Sequence, residues 1–284
     1  MTLPTLNFSR PDGINLEFEI IDVSYSAFSD APTTHHRHSF YEILFVEEGV
    51  SCHSVDFKSY AVAKNEILII PKNSVHLTTE NENYQGQWFL FTDHFLPPEQ
   101  SKMLHLLSIF NPIIDNKLLK INANTEVLKY IDILKTEYSN GKNNPLLLQN
   151  LFFTFLLKLE DLAQTQYATT TVMSEKDTHF SFLTFLENDF RTQHTVTHYT
   201  DKLNLTPKKL NKILLKTTGK TTNELILERI MIEAKRLLVY SDQSVKEIAY
   251  HLGFEDNHYF SRIFKKKNHV SPETFKNSFA EKSI

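Results

Sequence analysis

Cysteine, glycine and long apolar runs are scarce in this chain of 284 residues. The single cysteine, Cys52, excludes disulfide bonds within the chain and zinc sites built from several cysteines, and it fits a reducing compartment. No stretch of about 18 residues is continuously apolar, so we expect no membrane-spanning helix. The first residues lack the charged start and apolar stretch of a signal peptide. These absences predict a cytoplasmic protein that does not enter a membrane.

The overall composition is that of a folded protein, and the two ends of the chain differ in net charge. Apolar residues make up 41% and charged residues 23%, which excludes a disordered chain. At about 150 residues per domain the length predicts two domains, with one large domain as the alternative. Residues 1–200 contain 14 Lys and Arg against 24 Asp and Glu, whereas residues 201–284 contain 16 against 10. A basic end is typical of a protein that binds a polyanion such as DNA, although most basic faces are simply solvated.

Strand patterns fill the first part of the chain and helix patterns fill the rest. Short runs rich in Ile, Val, Phe and Tyr predict a β-sandwich or barrel, and they are Ile14–Ile21, Tyr41–Val46, Glu66–Ile70 and Gln87–Phe91. Apolar residues three and four apart then predict helices over Glu99–Phe110, Thr125–Tyr138 and Pro145–Leu162. The polar stretch Thr165–Thr171 is a candidate linker, and the pattern from Ser174 onward is helical throughout.

We therefore expect an α+β protein of two domains, with a boundary near residue 170. Residues 1–170 would form a β-barrel over about residues 8–95, with accessory helices over about residues 97–163. Residues 171–284 would form an all-helical domain. The segment Leu146–Leu159 is apolar on nearly every side of a helix, so it is either buried all round or has a second face at a homodimer interface.

The last hundred residues contain two related units, HYTDKLNLTPKKLNKILLKTTGKT and EIAYHLGFEDNHYFSRIFKKKNHVS. Each unit fits a helix–turn–helix. Asn204 and Gly253 can take the left-handed conformation that ends a first helix, and Thr206 and Asp256 fit the N-cap of a second. A bundle whose polar faces simply meet water is the alternative, and the matching caps, turns and basic faces of two units argue against it.

The second unit is recognisable. SVKEIAYHLGF, NHYFSRIFKK and SPETFK closely resemble the C-terminal signature of the AraC/XylS family of transcription regulators, and ERIMIEAKRLL resembles that family's linker helix. The resemblance covers about residues 178–280 and implies that two recognition helices enter successive major-groove segments about 34 Å apart. A helix over Asn223–Tyr240, about 27 Å long, could hold that separation. His269 stands where the family usually has glycine, for which we expect a small stability cost and no loss of binding.

The resemblance also implies which side chains contact DNA. By position, the base-reading residues are Lys208, Asn211, Lys212, Asn257, His258, Ser261 and Arg262. Other lysines of the same helices are expected to contact phosphates, and they are Lys209, Lys216, Lys265, Lys266 and Lys267. The expected partners are double-stranded promoter DNA and a second copy of the chain, with RNA polymerase as a further candidate.

The acidic half contains two motifs that resemble those of cupin barrels. The first comprises His36, His38, Glu42 and Gly49, and the second comprises Asn65, Pro71, Asn73, His76 and Glu80. Asparagine replaces the usual glycine at positions 65 and 73, and glutamate replaces asparagine at position 80. Cupin barrels are common as sensing domains ahead of AraC-type tails. The resemblance therefore implies a cupin-like domain that binds a small-molecule effector, with candidate contacts from His36, His38, Glu42, His76 and Trp88.

The competing hypothesis is a metal-dependent cupin enzyme that uses His36, His38, Glu42 and His76, because histidines and one carboxylate suit iron in an oxygenase. Cupin-like sensory domains often keep parts of this pattern without metal, so we expect no catalytic residue, no metal and no cofactor. His35 and His53 are expected to be ordinary surface or strand residues. The aromatic residues that either line the barrel or fill its core are Phe40, Tyr41, Phe45, Trp88 and Phe89.

The expected function is sequence-specific transcription regulation. An effector in the barrel would shift how the two helix–turn–helix units are presented to DNA, through its different affinities for two arrangements of the chain. Whether the outcome is activation or repression depends on promoter geometry, which the chain does not encode.

Overall fold

The chain divides into two compact units, residues 4–168 and residues 169–284. The computed structural model describes residues 5–6, 17–23, 35–78, 83–104, 107–112, 117–121, 126–140, 144–166 and 173–280. Among the helices in these ranges, none combines the length and the hydrophobicity that crossing a bilayer requires. Glu80, the beginning of the first predicted strand and most of the predicted linker lie outside the described residues.

The first unit is built on a β-sheet. Its strands, in the described part of the chain, are β1 (Thr5–Leu6), β2 (Phe18–Val23), β3 (His36–His38), β4 (Tyr41–Val55), β5 (Lys58–Ala63), β6 (Glu66–Ile70), β7 (Val75–Thr78), β8 (Asn83–Phe91) and β9 (Leu118–Lys120). The pairing is antiparallel except between β1 and β3. Three of the runs predicted as strands fall within strands, and the run Ile14–Ile21 does so from Phe18 onward, since Glu17 precedes β2.

The long strand β4 makes the sheet curl into a barrel. Its first part pairs with β6 and β8, and its last residues pair with β5 and β7. Side chains from both parts fill one interior cluster, which comprises Val23, Leu44, Val46, Val55, Val62, Leu68, Ile70, Tyr84 and Trp88. Because successive strand residues point to opposite faces, Tyr41, Ile43 and Phe45 lie in the outer core instead.

Helices cover the outer face of this sheet. They are α1 (Pro98–Leu104), α2 (Glu126–Ser139) and α3 (Pro145–Gln166). Phe152 of α3 contacts Phe18 and Phe91 edge to face, with ring centres 4.8 Å apart in both pairs. Such pairs add about 0.5–1.5 kcal/mol each to the area that they bury. The helix α3 runs to Gln166, so the start of the predicted linker is helical.

The helix predicted over Glu99–Phe110 was too long. The helix α1 ends at Leu104, and a 3-10 turn follows at Ser108–Phe110, with residues 105 and 106 outside the described ranges. Two buried charged side chains explain the turn. The Glu160 carboxylate accepts hydrogen bonds from the Ser108 hydroxyl (2.8 Å) and the Ile109 amide (3.1 Å), and Lys117 donates to the Ile109 carbonyl (3.1 Å). These bonds satisfy backbone groups that a continued helix would have paired.

The second unit is entirely helical where it is described. Its helices are α4 (Met173–Asp189), α5 (Val196–Leu203), α6 (Pro207–Thr218), α7 (Thr222–Tyr240), α8 (Val245–His251), α9 (Asn257–Asn268) and α10 (Pro272–Ala280). The pairs α5–α6 and α8–α9 are the two helix–turn–helix units. Between them, α7 has 19 residues and is about 28 Å long.

Local capping sets the ends of these helices. The side chains of Thr206 and Asp256 accept hydrogen bonds from the amides of Lys209 and His258, as predicted for N-caps. The left-handed residues that follow α5 and α8 are Asn204 and Gly253, also as predicted. His269 ends α9 with a φ of 65°, close to the 70° of Gly219 at the end of α6, so the histidine adopts the conformation that the repeat requires.

A buried ion network joins α4 to α7. The Arg229 guanidinium donates to both carboxylate oxygens of Glu187, at 2.7 and 2.8 Å, and lies 3.8 Å from the centre of the Phe190 ring. Its Nη1 also lies 3.3 Å from an oxygen of Glu233, which Arg191 and Arg236 contact as well. Arg229, Glu233 and Arg236 are buried, whereas Glu187 and Arg191 are partly exposed, and the pairing of opposite charges allows the three buried groups to remain charged.

Candidate functional site

The outward face of α6 carries the lysines of the first helix–turn–helix unit. Leu210 and Leu214 are fully buried, and Ile213 is nearly so. The residues between them on the helix therefore point away from the core. Four lysines of this helix are exposed, namely Lys208, Lys209, Lys212 and Lys216. This helix thus presents a positively charged outer surface, which is what contact with a phosphate backbone requires.

The helix α9 repeats this arrangement. Phe260 and Phe264 are fully buried on its inner side. On its outer side His258, Arg262, Lys265, Lys266 and Lys267 are exposed, while Asn257 and Ser261 are half-buried. The Arg262 guanidinium lies 5.6 Å from the centre of the Tyr259 ring, which restricts its orientation without pairing its charge.

Two of the residues predicted to contact bases also make bonds within the unit. The Asn211 side-chain oxygen accepts a hydrogen bond of 3.0 Å from the Thr222 amide at the start of α7. The Ser261 hydroxyl donates to the Asn257 carbonyl at 2.9 Å. Asn211 therefore helps to fix α6 against α7, a role that the sequence pattern did not indicate. Its side-chain NH₂ group is the part left to reach a base.

The second helix–turn–helix unit closely approaches the segment between α4 and α5. A Cβ atom built on Gly253, in the turn between α8 and α9, would lie 2.4 Å from the Arg191 carbonyl oxygen and 3.3 Å from Nε2 of His194. The His194 ring lies 4.8 Å from the ring of Phe254. The turn between α8 and α9 therefore packs against the segment that joins α4 to α5.

In the N-terminal β-sheet domain, three strands bring histidines and a carboxylate together inside the barrel. His36 and His38 lie on β3, Glu42 on β4 and His76 on β7, and all four are buried. Nε2 of His38 lies 3.2 Å from Oε2 of Glu42, and Nδ1 of His76 lies 3.5 Å from the same oxygen. The His36 and His76 rings are 4.1 Å apart. We call His38, Glu42 and His76 the barrel triad.

The protonation states in the triad follow from burial and mutual attraction. Burial favours the neutral acid, yet the neighbouring His38 and His76 outweigh it and lower the pKa of Glu42 to about 2. Burial lowers the pKa of His76 to about 3, since desolvation outweighs the attraction of Glu42. The pKa of His38 is raised: burial opposes its charged form, but the charge and hydrogen bonding of Glu42 win. The triad thus holds an ionised carboxylate beside a neutral imidazole.

His53 is a buried polar residue of the barrel interior whose position the sequence interpretation did not indicate. It lies on a strand, as expected, but it is only 2% exposed and faces the barrel interior. Its Nε2 is 2.6 Å from the Ser51 hydroxyl, and its ring meets that of Trp88 edge-on, with centres 5.5 Å apart. The indole of Trp88 in turn donates to the Tyr84 hydroxyl at 3.0 Å. Ser51, His53 and Val55 are all buried, and they are every second residue of β4. That two-residue spacing was visible in the sequence and could have indicated that His53 shares the inner face with Val55.

The strand register also decides which aromatic residues reach the interior. Trp88 belongs to the inner cluster, whereas Tyr41, Phe45 and Phe89 belong to the core beneath the helices. Phe40 stacks on the ring of His38, with centres 4.1 Å apart. Of the aromatic residues considered from the sequence, Trp88 is therefore the one placed in the inner cluster with polar neighbours.

Comparison with known proteins identifies the family. A family model described as an AraC-like ligand binding domain matches residues 20–156, and one described as a helix-turn-helix domain matches residues 199–278. The chain belongs to the AraC family of transcription regulators. It is a DNA-binding transcription regulator with a ligand-binding N-terminal domain, and a cupin enzyme is not favoured.

Relatives with assigned names agree with the family in their descriptions. The regulator is 26% identical over 244 residues to the HTH-type transcriptional activator RhaS of Yersinia pestis, which covers 84% of this chain and 86% of that protein. The protein of the same name from Yersinia pseudotuberculosis matches equally well. Among solved structures, ToxT from Vibrio cholerae is 18% identical with a TM-score of 0.43, covering 92% of this chain and 96% of that one.

Proposed function

We propose that the regulator binds paired promoter sites through α6 and α9, and that an effector in the barrel changes how these helices are presented. The observation that carries this proposal is the exposed, basic outward face on the second helix of both capped repeats. A helix exposed in this way, with its inner side buried, can enter a major groove without rearranging the core.

Base and phosphate contacts divide along these helices. Near the start of each helix, the side chains that reach bases are Lys208, Asn211, Lys212, Asn257, His258, Ser261 and Arg262. Phosphates are contacted by Lys209, Lys216, Lys265, Lys266 and Lys267. Arginine and lysine pair with guanine and asparagine with adenine, so the first group sets specificity. The second group sets affinity and its dependence on salt.

The effector binds inside the barrel. The polar groups there are His36 and the barrel triad at one place, and His53 with Trp88 at another. These buried polar groups have apolar neighbours from both parts of the curled sheet, an arrangement typical of a small-molecule site. Effector binding acts through different affinities for two arrangements of the chain, as any ligand-driven shift must.

The regulator acts as a homodimer in the cytoplasm, and it carries out no catalysis of its own. The dimer contact is the side of α3 that carries exposed leucines, Leu146, Leu147 and Leu157, of which Leu146 is 62% exposed. Burial of such residues in a second copy is favourable by about 25 cal/mol per Å². RNA polymerase is the partner through which a DNA-bound dimer would change transcription.

The experiment is a binding titration of the full chain against DNA from upstream of its own gene and against random DNA. We expect the specific site to bind about a thousandfold or more tightly. With five phosphate-contacting lysines per chain, the logarithm of affinity should fall against that of salt concentration with a slope of about −4 to −5 per bound chain. Equal affinity for both DNAs would reject the proposal. Lys58→Ala, an exposed lysine of the first unit, is the matched control and should change neither quantity.

A further inference from the structure

We propose that the helix α6 of the first helix–turn–helix unit recognises guanine, because its outer surface offers DNA hydrogen-bond donors and no free acceptor. The inference rests on the proposed function and deepens it, since it states which base one of the two recognition helices reads. It concerns only the base pairs that α6 contacts, because α9 carries donors and acceptors.

Lysine dominates the polar surface of α6. Of the polar side chains between Pro207 and Lys216, those fully exposed are all lysines, namely Lys208, Lys209, Lys212 and Lys216. The remaining one is Asn211, which is half-buried. An ammonium group has three donors and no acceptor, so no lysine can accept a hydrogen bond from the amino group of adenine or cytosine in the major groove. Among these side chains, the only acceptor is therefore Oδ1 of Asn211.

That oxygen already has a partner within the protein. Oδ1 of Asn211 accepts a hydrogen bond of 3.0 Å from the Thr222 amide. Thr222 is the first residue of α7 and is 1% exposed, so its amide is one of the donors at a helix start that have no partner within the helix. Releasing the oxygen to a base would leave this buried donor unsatisfied, which is unfavourable. The group that Asn211 offers to DNA is thus its side-chain NH₂, a donor.

The helix α9 differs from α6 in this respect. Among the residues that the structure describes, none makes a hydrogen bond to the Asn257 side chain, so both its oxygen and its NH₂ group can reach a base. The Ser261 hydroxyl donates to a backbone carbonyl and keeps its oxygen as an acceptor. His258 is exposed, and a neutral imidazole has one donor and one acceptor. The helix α9 can therefore pair with adenine or cytosine as well as guanine.

Guanine is the base that matches a surface of donors. In the major groove it presents two acceptors, O6 and N7, whereas adenine presents one acceptor beside a donor and cytosine presents a donor. Thymine presents one acceptor beside a methyl group. We therefore expect G·C pairs, in either orientation, at the positions that Lys208, Asn211 and Lys212 contact. For Asn211 this replaces the adenine that a free asparagine would select.

The test is selection of DNA from a randomised library by the full-length chain, followed by titrations against single-base variants of the selected site. The pairs that α6 reads are those whose preference is relaxed by Lys208→Ala, Asn211→Ala or Lys212→Ala. We expect G·C at these pairs, and replacement by A·T should weaken wild-type binding by about 5- to 150-fold.

The outcomes separate this inference from the proposed function. A preference for A·T at the pairs that α6 reads, or no change of preference in any α6 variant, would overturn the inference while specific binding stands. Equal affinity of the wild type for all sequences would reject the proposed function, and the inference with it.

Asn211→Asp isolates the donor. Aspartate keeps an oxygen for the Thr222 amide but has no NH₂ group, so the preference for G·C at that pair should disappear while the unfolding midpoint is unchanged. The matched control is Asn223→Asp, which adds the same charge at an exposed position in the first turn of α7 and should keep the wild-type preference. An unchanged preference in Asn211→Asp would show that Asn211 only joins α6 to α7, and would overturn its assignment as a guanine-reading residue.

Discussion

Gly219 and Gly253 have the same left-handed backbone, with φ values of 70° and 79°, but different surroundings. A Cβ atom on Gly219 would meet nothing within 4 Å, whereas one on Gly253 would overlap the Arg191 carbonyl oxygen at 2.4 Å. At Gly219 the requirement is therefore conformational alone, and at Gly253 it is also steric. His269 supports this distinction, because a histidine occupies the position in the second repeat that corresponds to Gly219.

Alanine at these two glycines should therefore have unequal effects. We expect Gly219→Ala to lower the free energy of unfolding by about 1 kcal/mol, the usual cost of a left-handed residue with a side chain. Gly253→Ala should cost at least about 2 kcal/mol more, since backbone must move to admit the methyl group. Urea unfolding followed by circular dichroism at 222 nm measures both. Equal losses would mean that the contact with Arg191 relaxes freely.

Glu233 makes the stability of the helical C-terminal domain depend on pH. Burial opposes its charge, but the nearby Arg229, Arg236 and Arg191 lower its pKa from 4.5 to about 2. A carboxyl group with a depressed folded pKa stabilises the fold fully above its unfolded value of 4.5, and this stabilisation is lost as pH falls toward 2. The shift corresponds to about 3 kcal/mol at neutral pH.

The variant Glu233→Gln should remove that dependence. We expect the difference in unfolding free energy between the wild type and this variant to narrow by about 1 kcal/mol from pH 6 to pH 3.5. Urea unfolding at both pH values provides the comparison. Glu273→Gln, an exposed glutamate on α10, serves as control and should follow the wild-type profile. A difference that stays constant with pH would show that Glu233 is not the titrating group.

At the scale of elements, the recognition helices were the part of the fold best predicted from sequence. The caps at Thr206 and Asp256 and the turns at Asn204 and Gly253 were all confirmed, because each depends on residues within about four positions. The helix predicted to reach Phe110 failed for the opposite reason. Its end depends on Glu160, a buried side chain distant in sequence.

We expect residues near the start of α9 to set the specificity of DNA binding and residues near its end to set only the affinity. Arg262→Ala should cost about 1–3 kcal/mol on the specific site and relax the preference at one base pair. Lys266→Ala should weaken binding to all sequences alike and reduce the salt slope by about 1. Titrations against the specific site, against its single-base variants and over a salt series measure both effects. A uniform loss across sequences for Arg262→Ala would show that this residue contacts phosphate only.

For the molecule as a whole, the uneven charge separates a basic DNA-binding part from an acidic N-terminal part. The exposed leucines of α3 lie in the N-terminal part. The basic residues concentrate after residue 200, where DNA is bound, and the acidic excess lies before it. The helix α3 buries Phe152, Phe155 and Leu156 against the barrel, yet leaves Leu157 39% exposed. Leu157 is one of three exposed leucines of α3, with Leu146 and Leu147, and this group, unlike a single exposed leucine, is the basis of the proposed contact with a second chain.

A charged side chain among the exposed leucines of α3 should dissociate the proposed dimer. We expect the wild-type chain to sediment as a dimer at micromolar concentration, and Leu157→Glu to sediment as a monomer, since burying an unpaired carboxylate is costly. Analytical ultracentrifugation at matched concentrations distinguishes the two. Ser59→Glu, on the exposed side of β5, is the control and should remain dimeric. A monomeric wild type would remove α3 as an interface.

Local sequence patterns were enough to identify the DNA-binding unit, its repeat and its family, because helix caps, turns and apolar stripes act between residues a few positions apart. Tertiary structure decided the barrel. A shift of one residue in strand register exchanges the two faces, so only the folded sheet shows that Trp88 and His53 face each other while Phe89 faces the helices. The same pairing brings His76 beside Glu42. That contact joins distant strands, and no local pattern in the sequence contains its geometry.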